Sequence, residues 1–305
     1  MSRYILRRVF LTIPVIVGVS FLAFLILHLT PGDPALLLAG PDATPEDVMV
    51  IRERFGLNKP LYTQYFRFVK GLFDGSLVSM KYEVSVMGLI QKRLKNTAIL
   101  AVVALCVAIV LGVSAGILSA LYRYTAVDYI ATFFALIGVS MPSFWMAIIF
   151  ILLFSVTLGW LPSNGMGSWR HVVMPSLVLG LGSAGIIARM TRSSMMTVLK
   201  QDYITTAHSK GLPERTVIYK HALRNAMIPT VTVVGLQVGY LLTGAVLTES
   251  VFAWPGVGRL LVDAILGRDY PVVQATLLII ALVFVVANLF VDLLYALLDP
   301  RIRYD

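Results

Sequence analysis

The chain has 305 residues, of which 58% are hydrophobic and only 13% are charged. Soluble domains are roughly half apolar and about a quarter charged, so this composition excludes an ordinary soluble fold and a disordered chain. A single cysteine excludes a disulfide scaffold, and the mean hydropathy of +0.84 indicates a membrane protein. The net charge of +9 does not require a nucleic acid as partner, because membrane topology accounts for it.

Six stretches of the chain contain no Asp, Glu, Lys or Arg, and their lengths lie between 17 and 31 residues. A helix needs about 20 apolar residues to cross a hydrocarbon core of roughly 30 Å, so the pattern predicts an all-α membrane protein with six transmembrane helices. The first stretch is too long for the apolar region of a signal peptide, and we expect a retained helix. The stretches are Val9–Leu29, Thr97–Leu121, Tyr129–Gly159, Val172–Ala188, Met227–Thr248 and Tyr270–Val291.

The distribution of basic residues predicts that both termini are cytoplasmic. With the N-terminus inside, the inner segments hold 13 Lys and Arg residues, whereas the two short outer loops hold 3. Cytoplasmic loops carry the excess of positive charge in most membrane proteins. The other 9 basic residues lie in the segment 30–96, which is long enough to escape this rule. We therefore divide the chain into residues 1–29 with the first helix, an external loop at 30–96 and a five-helix core at 97–305.

The external loop is predicted to contain short helices of its own. Thr44, Pro45 and Asp47 form a helix start, with a threonine cap, a proline at the first position and an acid in the first turn. Gly56 ends that helix, and Pro60 begins another. The second helix carries an apolar, mainly aromatic face made of Tyr62, Tyr65, Phe66, Val69 and Phe73.

This aromatic face has two interpretations that the sequence leaves open. Arg67 and Lys70 lie nearby, and aromatic and basic residues together suit a helix in the membrane interface. The alternative is a helix that packs against other external loops. Further along, Val84–Asn96 is a third amphipathic piece, which we predict to form an elbow before the second span.

The segment at about 189–226 is predicted to be a cytoplasmic loop that contains two short helices. One helical face combines residues spaced i, i+3, i+7 and i+8, namely Ile204, Ala207, Gly211 and Leu212. Gly211 ends the first helix, and Pro213 begins the second. A simple connector needs only a few residues. Small residues on an exposed face therefore predict a surface where a cytoplasmic partner docks.

Within the predicted spans, Pro142 and a few ionisable residues are functional candidates. Pro142 follows Ser140 and interrupts the third stretch, which predicts a bent helix. Glu249 and Asp292 are acids near span ends, with Asn288 one turn before Asp292. An acid in the membrane is a functional hypothesis by default, and a structural role is the alternative for each. As candidates for the substrate pathway or its gate we select Ser140, Pro142, Glu249, Asn288 and Asp292.

The sequence lacks the patterns of cofactor-dependent or hydrolytic chemistry. No Gly-Lys pair occurs, which excludes a phosphate-binding loop of the G-x-x-x-x-G-K-[ST] type. The four histidines are scattered and a lone cysteine cannot supply a metal-binding pair, so we expect no metal or cofactor on this chain. No G-x-S-x-G motif is present either. We therefore expect no catalytic activity from the chain alone.

The stretch Tyr203–Leu212 resembles the "EAA" loop of permease subunits of ABC importers, in the branch that serves peptides and nickel. The resemblance covers essentially the whole chain and is closest to the first permease of that branch. Its other motifs are Tyr4–Arg8, Thr30–Pro34, Met141–Trp145, Glu249–Leu260, Asp269–Gln274 and Asp299–Arg301. The general loop motif opens Glu-Ala-Ala, and this chain departs from it by having Thr205, Thr206 and Ala207 there. Ala207, Gly211 and Leu223 match the general form.

The resemblance implies a function for the whole chain. It implies a type I importer permease in the plasma membrane, paired with a second permease and two cytoplasmic ATPases that bind ATP and Mg²⁺. An external binding protein would deliver peptides or similar small solutes, and the segment 203–224 would couple to the ATPases. It assigns this coupling to Thr205, Thr206, Ala207, Gly211 and Leu223. The alternatives from the residues themselves are a secondary transporter driven by an ion gradient and a channel subunit.

Overall fold

The computed structural model describes residues 2–29, 33–40 and 42–298 and is built from helices. In chain order these are α1 (Ser2–Leu29), α2 (Pro34–Ala39), α3 (Pro45–Phe55), α4 (Leu61–Asp74), α5 (Val86–Leu121), α6 (Ala126–Ser140), α7 (Ser143–Phe150), α8 (Arg170–Val198), α9 (Asp202–Ser209), α10 (Glu214–Thr216), α11 (Leu223–Val251), α12 (Val257–Leu266) and α13 (Tyr270–Leu298). Two π-helical segments, Ile151–Thr157 and Val217–Ala222, follow α7 and α10. The motif residues 30–32 and 299–301 lie outside the described residues.

The helices form two compact units. One unit contains Met1–Thr97 and Pro255–Val286, and the other contains Ala98–Trp254 and Ala287–Asp305. All six charge-free stretches begin and end in or beside helices of the described chain, which confirms a helical membrane protein.

Hydropathy and length single out some of these helices as candidate spans. Among the described residues, four helices are long and apolar enough to cross a membrane, and a bent pair, Ala126–Ser140 with Ser143–Thr157, would add a fifth. A shorter apolar helix covers Phe10–Leu25. The total of six spans and the side on which the termini lie stay predictions. The four long helices are Val86–Leu121, Arg170–Val198, Glu214–Val251 and Tyr270–Val291.

Two expectations about helix boundaries are wrong. The elbow predicted at Val84–Asn96 does not form, because α5 runs without interruption from Val86 to Leu121. The second helix of the 189–226 segment is not short either, since the helical chain from Glu214 continues to Val251. Gly88 lies in the first turn of α5 and does not stop it, and beyond this point neither 89–104 nor 214–226 contains a Gly or Pro that would end the helix. The predicted bend at Pro142 is confirmed, with an angle of 110° between the helices on either side.

Helix α8 forms the centre of the second unit, where it packs against α6 and α11. Glycines bring its backbone unusually close to other helices. A Cβ atom added at Gly185 would lie 2.3 Å from the carbonyl oxygen of Ala135, and one at Gly116 would lie 2.6 Å from that of Ala188. Small residues at such crossings let helices approach closely in a membrane, where lipid offers no hydrophobic driving force for association. Gly185 and Gly116 therefore permit the close crossings of α8 with α6 and α5.

The first unit is held together by an apolar cluster that includes Phe68 of α4, Ile90 of α5, Leu260 of α12 and Val272 of α13. The helix start at Thr44 is confirmed, since its side chain and that of Asp47 form a capping box. The guanidinium group of Arg52 hydrogen-bonds to Asp33 and holds the pKa of that carboxyl below its ordinary value.

A buried carboxylate, that of Asp269, fixes the turn before α5 to the start of α13. Asp269 is fully buried and accepts a hydrogen bond from the Ser79 hydroxyl. It also accepts hydrogen bonds from the backbone N–H groups of Met80 at 3.1 Å and Lys81 at 3.3 Å. Several donors on one carboxylate satisfy its charge inside the protein, which explains why this acid tolerates burial.

Replacing Gly185 with Ala tests the close contact between α6 and α8. The added methyl group meets backbone rather than a flexible side chain, so the helices must separate, and we expect a loss of about 1–3 kcal/mol in stability. The measurement is thermal unfolding of the purified transporter in detergent. The matched control is Gly18→Ala in α1, where an added Cβ meets nothing within 4 Å. Equal unfolding temperatures for the two variants would contradict the assignment.

Candidate functional site

The segment 202–226, which we call the α9 hairpin, has a small apolar core of its own. Ile204 and Ala207 of α9 are buried against Val217 and Ile218 of the helix that follows. The same cluster includes Met195 of α8, so the hairpin is packed onto the end of a candidate span. A connector with its own core presents a fixed shape, as a docking surface requires.

The expectation that Ala207 lies on the exposed face is wrong. Its side chain is only 6% exposed, because it faces the second helix and belongs to the core of the α9 hairpin. Thr205 and Thr206 are the exposed residues of that turn of α9. Leu223 is half-buried and packs against the same core. The exposed surface of α9 is therefore polar rather than a patch of small residues.

Gly211 acts through its backbone conformation. It ends the first helix as predicted, with φ of +73°, in the left-handed region that favours glycine. A Cβ atom at this position would meet nothing within 4 Å, so the residue does not serve a close contact inside the chain. Its role in the hairpin is to let the chain reverse direction after α9.

Two polar contacts tie the ends of the α9 hairpin together. The Asn225 side-chain amide donates a hydrogen bond of 2.8 Å to the Tyr203 hydroxyl, and this joins α9 to α11. His208 lies 3.4 Å from the Glu214 carboxylate across the turn. Both contacts are exposed to solvent, so they contribute less to the shape of the hairpin than its buried core does.

A buried ion pair near the α9 hairpin was not anticipated from the sequence. Asp128 of α6 is 3% exposed, and its two carboxylate oxygens accept hydrogen bonds of 2.9 and 2.8 Å from the guanidinium of Arg192 in α8. The hydroxyl of Ser119 in α5 and the backbone N–H of Tyr124 also donate to Asp128. One carboxylate thus joins the ends of α5, α6 and α8.

The sequence contains a signal for this ion pair, although a weak one. Asp128 directly precedes the third charge-free stretch, and Arg192 follows the fourth by one turn. Charges at the ends of adjacent spans are candidates for pairing. Nothing in the sequence, however, shows which of the basic residues between Arg189 and Arg224 would face Asp128.

The helix break at Pro142 borders a cavity of about 210 Å³ in the second unit. Met141 and Ser143 line it, together with Gly182 of α8 and Tyr240 of α11. The predicted pathway residues Ser140 and Pro142 flank these positions and are exposed on the outside of the helices. The helix break therefore lies at the cavity, but the side chains of Ser140 and Pro142 do not line it.

The other pathway candidates lie apart from this cavity's lining. Glu249 is fully buried in the last turn of α11, and its backbone carbonyl accepts a hydrogen bond from the N–H of Trp254. Asn288 is half-buried in α13. The backbone of Asp292 lies in α13, but its side chain is outside the described part of the chain. Among the described side chains, no group of three His, Cys, Asp or Glu could hold a metal ion.

Known proteins resemble the chain along its entire length. Residues 108–304 match the family described as "Binding-protein-dependent transport system inner membrane component". Residues 1–104 match its N-terminal companion family, "Binding-prot-dependent transport system membrane comp, N-term". Together the two matches leave only a few residues of the chain uncovered.

Curated relatives support the same grouping. The chain is 44% identical over 333 aligned positions to a dipeptide transport system permease protein of Alkalihalophilus pseudofirmus, with all of both chains covered. It is also 44% identical over 305 positions to a glutathione transport system permease protein of Escherichia coli K12, again with full coverage of both.

Solved structures show where this fold has been seen. A chain of the MetNI methionine ABC transporter in an inward-facing conformation superposes with a TM-score of 0.60 at 19% identity, covering 70% of this chain and 97% of that one. An amino acid ABC transporter gives a TM-score of 0.52 at 16% identity. At these identities the likeness shows the fold alone.

The helical architecture, apolar spans and packed hairpin define a multi-pass membrane protein with the fold of an importer permease. The chain belongs to the family of inner-membrane components of binding-protein-dependent transport systems. It is accordingly a permease subunit of an ATP-driven ABC importer, and in such systems ATP hydrolysis takes place on separate subunits. The alternatives of a secondary transporter and a channel subunit are thereby excluded.

Replacing Asp128 with Asn tests the ion pair that joins α5, α6 and α8. The change leaves Arg192, whose side chain is 30% exposed, without its counter-charge and the buried position without a full acceptor set, so we expect a loss of about 1–3 kcal/mol in stability. Thermal unfolding of the purified transporter measures it. The control is Glu83→Gln, which breaks the exposed pair with Arg54 and should cost less than about 1 kcal/mol. If Asp128→Asn unfolds like this control, the pair does not hold the helices.

Proposed function

We propose that this chain pairs with a second, homologous permease and that the two form a translocation pathway for short peptides. Two cytoplasmic ATPases are the energy source, and ATP and Mg²⁺ bind to them rather than to this chain. An external binding protein delivers the substrate to the outer mouth. Two relatives are named as permeases of dipeptide and glutathione transport systems, and this supports small peptides as the substrate class.

The observation that carries this proposal is the α9 hairpin. It has a buried core, lies at the end of α8, and exposes a polar surface that includes Thr205 and Thr206. A rigid short helix of this kind suits a groove on an ATPase, where it can transmit movement of the ATPase to the permease. We assign this role to the hairpin on the cytoplasmic side, with Ala207, Gly211 and Leu223 shaping it from within.

The ion pair between Asp128 and Arg192 connects the helix that precedes the α9 hairpin to α5 and α6. Only three residues separate the end of α8 at Val198 from the start of α9 at Asp202. Displacement of α9 therefore displaces α8, and Arg192 carries Asp128 with it, so that α5 and α6 follow. Rigid-body movement of packed helices is the usual way in which a permease alternates between its two open states.

The cavity at the Pro142 break is the proposed place where substrate passes. A proline that interrupts a span frees backbone carbonyl groups, and irregular backbone within a membrane is tolerated where it lines a cavity. Ser143 and the hydroxyl-bearing Tyr240 give this cavity polar groups. We propose that Ser140 and Pro142 act there by shaping the break rather than by contacting substrate inside the single chain.

The segment before α5 is the proposed docking surface for the external binding protein. It borders a cavity of about 790 Å³ in the first unit, which basic and acidic side chains line together. The charged residues on α4 that border it are Arg67, Lys70 and Asp74, and Glu83 adds a further acid. A surface with both signs of charge favours specific orientation of a protein partner over simple electrostatic attraction.

Replacing Thr206 with Trp tests whether the exposed surface of α9 couples to an ATPase. The bulky side chain obstructs docking of α9 on the ATPase without touching the hairpin core. We expect a loss of about 1.4 kcal/mol in the docking free energy, which lowers the affinity between permease and ATPase about tenfold. The measurement is ATP-dependent, vanadate-sensitive uptake of a labelled dipeptide into vesicles that contain the complete transporter. We expect the rate of uptake to fall about tenfold, by the same factor as the affinity for the ATPase.

The matched control is Thr157→Trp in the same unit. Thr157 is also an exposed threonine, and its hydroxyl donates to a backbone carbonyl within its own helix, as that of Thr206 does. Both variants should insert into the membrane normally, and only Thr206→Trp should weaken binding of the ATPases. Unimpaired uptake by Thr206→Trp would exclude the α9 surface as the coupling site. Uptake that needs an ion gradient but no ATP would refute the proposed function as a whole.

Glu249→Gln and Asp292→Asn test whether these acids line or gate the pathway. If they do, removal of the charge changes the relative rates at which acidic, neutral and basic dipeptides are taken up, because charged substrates sense it most. The control is Asp263→Asn, which changes a partly exposed acid of α12 that lies 3.8 Å from Arg259. Unaltered substrate preference in both variants would show that Glu249 and Asp292 are structural.

A further inference from the structure

Helix α4 carries a stripe of aromatic side chains that the described part of the chain leaves largely exposed. Tyr62, Phe66 and Phe73 are 68%, 67% and 87% exposed. They are spaced i, i+4 and i+11, so they lie along one line of the helix surface. We call this line the α4 aromatic stripe. Large exposed aromatic side chains in a row mark a surface that another apolar phase or molecule covers.

Other residues of α4 pack into the apolar cluster of the first unit. Phe68 is buried in the core with Val272 of α13, while Tyr65 and Leu72 pack against the same cluster. The cavity proposed for the binding protein is lined on α4 by Gln64, Arg67 and Gly71, among others, and by no residue of the aromatic stripe. The stripe therefore points neither into the core nor into that cavity.

Tyr65 connects α4 directly to an apolar helix, α1. Its ring makes edge-on contacts with Phe21 and Phe24, at centroid distances of 5.9 and 5.5 Å. A hydrogen bond of 2.7 Å joins its hydroxyl to that of Ser20. Ser20 donates its own proton to the carbonyl of Val17, so Tyr65 is the donor to Ser20. This contact fixes α4 against the later part of the α1 apolar segment.

The part of α1 that α4 touches has the surface of a helix in lipid. Apolar side chains are exposed on several sides of it, among them Ile13, Val17, Phe21 and Leu22. A helix that is apolar all round and not buried in protein is suited to hydrocarbon. Because Phe21 is half-exposed and contacts Tyr65, the lipid-facing surface of α1 continues onto α4.

The aromatic chain continues without a gap to the stripe itself. Tyr65 makes an edge-on contact with Phe66 at a centroid distance of 6.0 Å. Phe21, Tyr65 and Phe66 thus form one apolar path from the surface of α1 to the stripe. Arg67 and Lys70 lie further round the same helix, where they border the docking cavity, so this charged side of α4 is separate from the aromatic stripe.

We propose that α4 lies in the membrane interface and inserts its aromatic stripe among the lipid acyl chains. Tyr62, Phe66 and Phe73 are the inserted side chains, and Arg67 and Lys70 stay on the water side of α4, where they border the docking cavity. The contact anchors the segment before α5 on the bilayer and so holds the proposed docking cavity at a fixed height above it. The inference rests on α1 crossing the membrane, as the sequence predicts.

Depth measurement with quenchers in the lipid tests this proposal on the complete transporter in vesicles. Single-cysteine variants Phe66→Cys and Phe73→Cys are made in a Cys106→Ser background, because Cys106 is an exposed free thiol, and carry a small fluorophore. Met49→Cys on α3 is the matched control, since Met49 is an equally exposed apolar residue in the same unit. Val17→Cys on α1 checks the premise that α1 is in the membrane.

We expect nitroxide-bearing lipids to quench the labels at 66 and 73 severalfold more than the label at 49, at a depth of roughly 5–10 Å below the headgroups. A water-soluble quencher should show the reverse order. The label at 17 should be quenched most by nitroxides placed deep in the acyl chains. If it is not quenched by them, α1 does not cross the membrane, and this result is independent of the results at 66 and 73.

Three results would overturn the proposal. Labels at 66 and 73 that match the label at 49 in both assays would place the stripe in water. Failure of both quenchers at 66 and 73 would show that a protein partner covers the stripe. Quenching by lipid that disappears only when the external binding protein is added would also assign the stripe to that protein.

Discussion

Close packing of backbones around α8 is the constraint on which the second unit depends. Lipid is as apolar as a leucine side chain, so helices in a membrane associate through tight contact and hydrogen bonding rather than through the hydrophobic effect. Gly185 and Gly180 bring α8 against carbonyl groups of α6 and α5, and Gly116 does the same from α5. With the helices this close, a charge at one of their ends can reach the others, and the Asp128–Arg192 pair becomes possible.

That ion pair and the α9 hairpin form one mechanical unit. Arg192 lies on α8, 10 residues before the α9 hairpin begins at Asp202, and Asp128 receives donors from α5 as well as α8. The hairpin core is built from both of its helices and from the end of α8. A force applied to the exposed surface of α9 therefore does not dissipate in a flexible loop. For the coupling to an ATPase that we propose, this stiffness would transmit movement of the α9 hairpin to the spans.

The first unit differs from the second, since much of it consists of helices that are too short to cross a membrane. The capping box at Thr44, the bridge from Arg52 to Asp33 and the buried carboxylate of Asp269 hold these helices in place with polar contacts. Tyr65 then attaches α4 to α1 by one hydrogen bond and two ring contacts. The position of α4 decides which of its faces is left for lipid and which for a protein partner.

Local chemistry in the sequence was enough to establish the class of protein, most helix boundaries and the hairpin turn. Charge-free stretches, the cap at Thr44, the break at Pro142 and the glycine at 211 each act over a few residues, so their effect can be inferred without knowing the neighbours. The face on which Ala207 lies, the partner of Asp128 and the division of α4 into buried and exposed faces could not be inferred in this way. Each depends on which distant helix packs alongside, and hydrophobic periodicity shows that a face is apolar without showing what covers it.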